Sequence, residues 1–292
     1  EALTIEAKQQ IASAVKDKQP FFLEFAHYAV HAPFQSDSRF AAHYENSGKP
    51  KNAQAFATLI EGMDKSLGDI LDYLEVLGIA ENTLVLFVGD NGSDAPLGPV
   101  HSHTSSFPLR AKKGTHYEGG IRVPFIASWA KPSKKNQNQR RLPIPANVIQ
   151  EQMGTVIDIY PTILSAVGVE LPAGHILDGT DLKTQLEGRK NLSRDERFLM
   201  HFPHAHRSSY FTSFRDGDWK IIYHFKPNDN PAKTRYELFN LASDPYENEN
   251  LAQKRPKVLK RMMETLVAAL QAESALYPVD ADGSEMQPEI PK

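Results

Sequence analysis

The sequence predicts an α/β fold followed by a smaller antiparallel subdomain, and three observations carry this prediction. The apolar run at residues 84–88 is bounded by turn residues, which is typical of a strand buried on both faces. Apolar residues between positions 56 and 77 recur at intervals of three and four, which predicts a long helix before that strand. After residue 194 the pattern changes to short strand-forming segments separated by turns.

The composition is that of a globular chain, with 292 residues, 40% hydrophobic and 24% charged. A formal net charge of -3 gives no electrostatic case for a nucleic-acid partner. No apolar run approaches the roughly 20 residues that a membrane span needs. The sequence contains no cysteine, which excludes disulfides and thiolate chemistry within these residues.

The first elements are predicted to be a helix, a strand and a second helix. Thr4 is placed at the helix N-cap, and apolar residues at helical spacing continue up to Asp17. Residues 21–26 predict a strand that delivers His31 to a loop, where Pro33 favours extended backbone. Together with the long helix and the strand at 84–88, this order indicates a βαβ unit, right-handed if its strands are parallel neighbours.

The turn after the strand at 84–88 is the first candidate site. Asp90 and Asn91 place a carboxylate and an amide carbonyl where ligands collect, beyond the carboxyl end of a strand. Hard cations such as Ca²⁺ prefer oxygen ligands of this kind. Asp-Asn-Gly is also favourable turn chemistry, so a turn without a metal stays open as the alternative.

A long irregular stretch, 93–122, follows this turn and then gives way to further regular elements. Loops of this length inside a compact domain are usually functional or disordered. Within it, Glu118 and Arg122 are predicted to pair and brace the loop. Residues 125–129 predict a strand, and Asp158 is predicted to cap a helix that ends near Gly168.

The chain is divided at residue 194: residues 1–193 are assigned to the α/β part and residues 194–292 to the antiparallel subdomain. Strands are predicted at 198–201, 210–214, 219–224 and 236–240, and a helix at 256–273. His201 and His204 stand at the start of the subdomain. Recognition of the organic part of a substrate is favoured over metal ligation for these histidines, and a plain loop is the remaining alternative.

Four segments, in this order and spacing, resemble the sulfatase family of the alkaline-phosphatase-like superfamily. They are Pro20-Phe21-Phe22-Leu23 with Tyr28-Ala29-Val30-His31-Ala32-Pro33, Gly89-Asp90-Asn91-Gly92, Pro108-Leu109-Arg110 through Lys113-Gly114-Thr115 to Glu118-Gly119-Gly120, and Asp216-Gly217-Asp218-Trp219-Lys220 with Glu237-Leu238-Phe239. The resemblance covers the chain to about Gln271. It implies a mixed or parallel sheet flanked by helices, present in part, and a smaller antiparallel sheet with one helix.

The resemblance implies a sulfuric ester hydrolase. Asp90 and Asn91 would be two ligands of a Ca²⁺ ion, His31 would hydrogen-bond the sulfate or the leaving-group oxygen, and Lys113 would contact a sulfate oxygen. These groups suit the reaction, because hydrolysis builds negative charge on the equatorial and leaving oxygens. The resemblance also suggests a sulfated small molecule or glycan as the substrate, and a periplasmic or secreted location.

The sequence departs from the family pattern in the nucleophile segment. Sulfatases use a formylglycine made within Cys/Ser-x-Pro-x-Arg, preceded by an Asp-Asp pair, and this chain has neither before Asp90. Ser106-Phe107-Pro108-Leu109-Arg110 matches literally but follows the metal pair, so we reject it as the nucleophile segment. We therefore expect a carboxy-terminal sulfatase portion, inert alone, whose partner is the missing amino-terminal part of the same protein. The alternatives are a phosphoester or phosphonate-ester hydrolase of the superfamily and a non-catalytic, carbohydrate-binding sulfatase-like protein.

Overall fold

A computed structural model describes residues 1–93, 106–205, 210–229 and 233–292, which group into two compact units. Of these residues, unit 1 contains 1–90 and 124–194, and unit 2 contains 91–93, 106–123 and 195–292. The predicted division placed 91–93 and 106–123 in the first part, whereas their contacts group them with unit 2. The assignment of domains at 1–193 and 194–292 stays a prediction.

The described residues contain eight α-helices and six strands. The helices are α1 (Ala2–Lys16), α2 (Ala41–Tyr44), α3 (Lys51–Val76), α4 (Glu118–Ile121), α5 (Gln137–Arg141), α6 (Ile159–Val167), α7 (Lys183–Leu186) and α8 (Pro256–Ala272). The strands are β1 (Leu84–Val88), β2 (Phe125–Trp129), β3 (Arg197–Phe202), β4 (Phe211–Asp216), β5 (Trp219–His224) and β6 (Tyr236–Asn240). Among these residues, no helix is long and apolar enough to cross a membrane.

The long helix α3 is confirmed, and it packs against α1 in unit 1. Ile70 and Leu74 of α3 and Ile11 of α1 belong to one buried apolar cluster. The helix gives way at Gly78, which adopts φ 71°, a conformation that glycine reaches at little cost. The apolar period therefore predicted this element.

The predicted N-cap at Thr4 is wrong. α1 already begins at Ala2, and Glu1 occupies the N-cap position. Thr4 is buried instead, and its hydroxyl oxygen lies 2.7 Å from Ser66 Oγ of α3. A buried hydroxyl needs a hydrogen-bond partner, so Thr4 serves the contact between the two helices rather than the start of the first.

The predicted βαβ unit is not observed among the described residues. β1 and β2 form a two-stranded antiparallel sheet in which Leu84 pairs with Trp129 and Val88 with Phe125. Residues 21–26 run without strand pairing, and β1 is only partly buried, with Val88 37% exposed. An apolar run indicates that a segment suits a pleated, half-buried surface, but its neighbours decide its pairing.

Asp158 lies at the start of α6, as predicted, and it also braces unit 1. Its carboxylate accepts hydrogen bonds from the backbone N–H groups of Thr155 and Thr180, at 2.7 Å each. Arg194 Nη2 lies 2.6 Å from Asp158 Oδ2, and both side chains are buried. Asp158 therefore stands at the N-cap position as predicted, but its side chain makes no cap hydrogen bond to α6 and instead joins other segments of unit 1.

Unit 2 has the predicted antiparallel sheet and single helix. The strand order is β3-β4-β5-β6, and every neighbouring pair is antiparallel. β4 and β5 join through a tight turn at Gly217, which has φ 57°. Met262, Met263 and Leu266 of α8 are 0% exposed and lie in the same cluster as Ile221 and Leu238 of the sheet. One helix thus covers one face of the sheet.

Candidate functional site

The turn that carries Asp90 and Asn91 begins where β1 ends. Gly89 N–H donates to the Pro124 carbonyl at 3.0 Å, and the next two residues are exposed. The side-chain amide nitrogen of Asn91 donates to the Gly92 carbonyl at 3.1 Å. The amide oxygen of Asn91 and the carboxylate of Asp90 are therefore the two atoms of this turn suited to a hard cation.

The turn is held by close approach of a second backbone segment in unit 2. Gly92 N–H donates to the Gly120 carbonyl at 2.8 Å, and Lys113 N–H donates to the Ser93 carbonyl at 3.1 Å. A Cβ at position 92 would lie 2.1 Å from the Gly119 carbonyl oxygen. Only glycine permits this approach, which brings the backbone of Asn91 and of Lys113 into one local structure.

The loop that contributes Lys113 and Gly120 is braced through Glu118. Glu118 Oε1 lies 2.9 Å from Lys220 Nζ, and Glu118 N–H donates to Glu247 Oε2 at 2.7 Å. Lys220 Nζ also lies 2.8 Å from Glu247 Oε1. The predicted partner was Arg122, whose side chain is exposed. Bracing through Glu118 is correct, but Lys220, at 102 residues' separation, provides it.

Arg110 anchors the first part of the same loop. Its guanidinium lies 3.8 Å from the ring centre of Tyr117, and Nη1 donates to Glu237 Oε2 at 3.2 Å and to the Glu247 carbonyl at 3.0 Å. These contacts give the arginine of Ser106-Phe107-Pro108-Leu109-Arg110 a structural role. The rejection of this segment as the nucleophile motif stays a prediction.

Glu237 lies at the centre of a buried polar group that the sequence analysis missed. Its Oε1 accepts a hydrogen bond from Tyr117 Oη at 2.6 Å and lies 2.9 Å from His224 Nε2. Burial raises the pKa of this carboxyl, but the bonds from His224 and Tyr117 outweigh it, so the pKa lies below its usual value. His116, also buried, lies with its ring centre 5.1 Å from that of His224.

His31 and Lys113 belong to different units. His31 is exposed in unit 1, where its N–H donates to the Tyr28 carbonyl at 3.0 Å. Its Nδ1 lies 2.8 Å from the Ala32 carbonyl oxygen. Because a carbonyl accepts, Nδ1 carries the hydrogen, and Nε2 is the nitrogen left to exchange a proton. Lys113 is half-buried in unit 2.

The two histidines predicted to contact a substrate differ in their surroundings. His201 lies on β3, and its Nε2 is 2.6 Å from the Leu276 carbonyl oxygen. His204 is exposed, and its ring centre lies 3.9 Å from that of Phe202. His204 is therefore the member of the pair that is accessible to a ligand.

The comparisons with known proteins agree on one family. The family model described as Sulfatase matches residues 1–169, and the model described as N-sulphoglucosamine sulphohydrolase, C-terminal, matches residues 111–274. A sulfatase of Formosa agariphila is 30% identical over 94% of this chain and 49% of its own length. Human steryl-sulfatase is 31% identical over 79% of this chain and 36% of its own length. The chain thus spans about half or less of these relatives.

Solved structures confirm the predicted fold class. The crystal structure of Ps i-CgsB in complex with k-i-k-neocarrahexaose is similar with a TM-score of 0.76 and 25% identity, over 97% of this chain and 55% of that one. A second crystal structure of Ps i-CgsB gives a TM-score of 0.75. Since the Sulfatase model matches 169 of the 292 residues, this chain belongs to the sulfatase family.

Proposed function

We propose that these residues are a portion of a sulfuric ester hydrolase, with Asp90 and Asn91 as calcium ligands and His31 and Lys113 as sulfate-contacting residues. The observation that carries the proposal is the local structure at Gly92. Backbone hydrogen bonds of 2.8 and 3.1 Å join the Asp-Asn turn to the segments of Gly120 and Lys113. These bonds support the proposal, because they hold the backbone of the two proposed metal ligands and of Lys113 in one short piece of structure.

The donor atoms of this turn fit calcium. Asp90 and Asn91 offer oxygen ligands at the end of a strand, and Ca²⁺ takes about 6–8 oxygens. When bound, the ion would supply positive charge against the oxygens that gain negative charge during hydrolysis. Two residues supply too few ligands, so we expect weak calcium binding by residues 1–292 alone.

The remaining roles follow from charge and proton position. Lys113 would hold a sulfate oxygen through its ammonium group, which is a compact point charge. His31 would donate a hydrogen bond to the sulfate or to the leaving oxygen through Nε2 when the ring is an imidazolium, because Nδ1 already carries the hydrogen that faces the Ala32 carbonyl at 2.8 Å. Both groups would stabilise the transition state more than the ground state.

A sulfated carbohydrate is the proposed substrate class, and His204 is the proposed contact to its organic part. The family model named for N-sulphoglucosamine sulphohydrolase and the similar structure that holds k-i-k-neocarrahexaose support a sugar. His201, on β3, is proposed as a second residue that contacts the substrate. A periplasmic or secreted location belongs to the same proposal.

The nucleophile is proposed to come from outside residues 1–292, from another part of the same protein. Within these residues there is no cysteine, and Arg110 of the single Ser-x-Pro-x-Arg segment is committed to Glu237 and Tyr117. We therefore expect no turnover of an aryl sulfate by purified residues 1–292. Robust turnover would contradict this part of the proposal.

Calcium titration tests the metal assignment. Calorimetry on residues 1–292 should show weak Ca²⁺ binding that falls at least about tenfold in Asp90→Ala, because the charged ligand dominates affinity. Asp72→Ala, which removes an exposed carboxylate of α3, should leave the titration unchanged. Equal affinity in the Asp90→Ala variant and the parent chain would overturn the assignment.

His204→Ala tests the substrate assignment in the catalytically complete protein. We expect KM for a sulfated oligosaccharide to rise while calcium content stays constant, since the exposed ring binds the organic part. An aryl phosphate assayed in parallel separates a sulfatase from a phosphoester hydrolase. Loss of calcium with unchanged KM would contradict the role given to His204.

A further inference from the structure

Three buried side chains of unit 2 converge although they are far apart in sequence. They are His116 before α4, His224 at the end of β5 and Glu237 on β6, and they are 4%, 0% and 2% exposed. Each offers a ligand atom, and these atoms lie within 4.8 Å of one another. We propose that this cluster binds one transition-metal ion of the zinc type, separately from the candidate calcium site at Asp90 and Asn91.

The donor set distinguishes this cluster from Asp90 and Asn91. Two imidazoles and one carboxylate suit Zn²⁺ and similar ions, whereas Ca²⁺ takes oxygen ligands alone. His224 Nε2 and Glu237 Oε1 already lie 2.9 Å apart. An ion at the usual ligand distance of about 2.0–2.2 Å can therefore contact both atoms once the hydrogen between them moves to Nδ1 of His224, which keeps the ring neutral.

Neighbouring side chains orient these ligands through hydrogen bonds and ring packing. Tyr117 Oη donates to Glu237 Oε1 at 2.6 Å, and Arg110 Nη1 donates to Glu237 Oε2 at 3.2 Å. The ring of His116 packs at 4.3 Å between centres from the ring of Phe211. Metal sites depend on such contacts, because they hold the ligands in the binding geometry before the ion arrives.

Packing and hydrogen bonding leave the histidines ready to bind. The ring of His116 is 4% exposed and packs against the rings of Tyr117 and Phe211, so its position is fixed before an ion binds. His224 Nδ1 is buried and has no hydrogen-bond partner among the described residues. The ring of His224 is therefore held on one side only, and its orientation can adjust to an ion.

The buried carboxylates around the cluster outnumber the cations, which favours the binding of a further cation. The network of contacts contains three buried carboxylates, Glu118, Glu237 and Glu247, and two cations, Arg110 and Lys220. With neutral histidines and three ionised carboxylates, one negative charge is left over, and an uncompensated buried charge is costly. A metal ion, a proton on a histidine or a proton on Glu247 would offset it, and a metal titration distinguishes the ion from the two protons.

Metal titration of residues 1–292 tests the proposal. The chain is stripped with a chelator and titrated with Zn²⁺ by calorimetry and with Co²⁺ by visible absorption, in excess Ca²⁺ so that the calcium turn is occupied. We expect one equivalent of Zn²⁺ to bind, a d–d absorption band for Co²⁺, and a higher Tm with Zn²⁺, since the ion binds only the folded chain.

His116→Gln and Glu237→Gln should each weaken Zn²⁺ binding by at least about 100-fold, because each removes a direct ligand. His43→Gln, which changes an exposed histidine, is the matched control and should bind like the parent chain. Circular dichroism of the metal-free variants checks that they fold.

The parent chain tests the proposal even if the variants do not fold. The proposal would be overturned if the parent chain failed to bind one equivalent of Zn²⁺ and showed an imidazolium signal in ¹⁵N spectra instead. Unchanged affinity in both folded variants would overturn it too.

Discussion

Lys220 is the residue whose charge matters most for the stability of unit 2. Its side chain is 2% exposed and lies 2.9 Å from Glu118 and 2.8 Å from Glu247. The two carboxylates are buried as well, so the lysine compensates charges that water does not reach. Such a pair adds little net stability over an apolar replacement of the whole group, but removal of one partner is strongly destabilising.

Lys220→Met should therefore lower the free energy of unfolding by about 3–5 kcal/mol, because it leaves two buried carboxylates without a cation. Lys254→Met is the matched control: Lys254 pairs with Glu249 on the surface, where a pair contributes about 0–1 kcal/mol. Chemical denaturation of both variants measures the difference. A loss below about 1 kcal/mol for Lys220→Met would contradict the burial argument.

Glu247 should titrate above the usual range of a carboxyl. Burial raises its pKa, and Lys220 opposes that increase in part. The folded chain therefore holds this proton more tightly than the unfolded chain does, so the stability contributed by Glu247 is present below its unfolded pKa and is lost as pH rises through its folded pKa. Carboxyl ¹³C shifts followed against pH measure the value, and Lys220→Met should raise it further. A pKa at or below that of an exposed glutamate would refute the expectation.

The sequence analysis proposed candidate site residues where the signal is local, and it missed those that distant contacts bring together. Asp90 and Asn91 could be found because they follow an apolar strand and precede a glycine. The cluster at Glu237 depends on contacts such as that of Tyr117, 120 residues away. Nothing near His116 or His224 in the sequence marks them as neighbours, because the register of β5 and β6 and the path of the Arg110 loop bring them together.

At the scale of elements, the turn at Gly92 controls the candidate calcium site. Gly92→Ala would put a Cβ 2.1 Å from the Gly119 carbonyl oxygen and 2.7 Å from Gly120, so backbone must move. We expect a loss of at least about 1–3 kcal/mol and weaker Ca²⁺ binding. Gly68→Ala is the control, because this position of α3 has open space around it and alanine gains about 0.5–1 kcal/mol in a helix. Thermal unfolding and calorimetry read both effects, and wild-type behaviour of Gly92→Ala would exclude the close approach.

Elements with a strong local signal were predicted well, and errors arose where distant contacts decide. β1, β5 and β6 have the predicted bounds, and α3 contains the predicted apolar stripe. Thr4 and residues 21–26 were misassigned: the Thr4 hydroxyl pairs with a serine on α3 instead of capping α1, and residues 21–26 pair with no strand. Propensity and period set the type of an element, but its partner depends on the rest of the molecule.

At the scale of the whole molecule, the two-stranded sheet of unit 1 is the element most prone to pair with another chain. Among the described residues, β1 and β2 pair only with each other. Val88, Phe125 and Ile126 lie together at one end of this sheet and are 37%, 39% and 60% exposed. Unpaired strand edges with apolar side chains are templates for pairing with another chain.

Residues 1–292 should therefore self-associate with rising concentration, through the β1–β2 sheet. Ile126→Lys should suppress the association, because a lysine on an edge strand disfavours pairing and the side chain at this position is exposed enough to be replaced without loss of core. Ile149→Lys is the matched control, since Ile149 is 90% exposed but lies outside any strand, and it should associate like the parent chain. Sedimentation velocity over a hundredfold range of concentration measures all three proteins. A parent chain that stays monomeric throughout, or equal association in Ile126→Lys, would show that these strand edges are not adhesive.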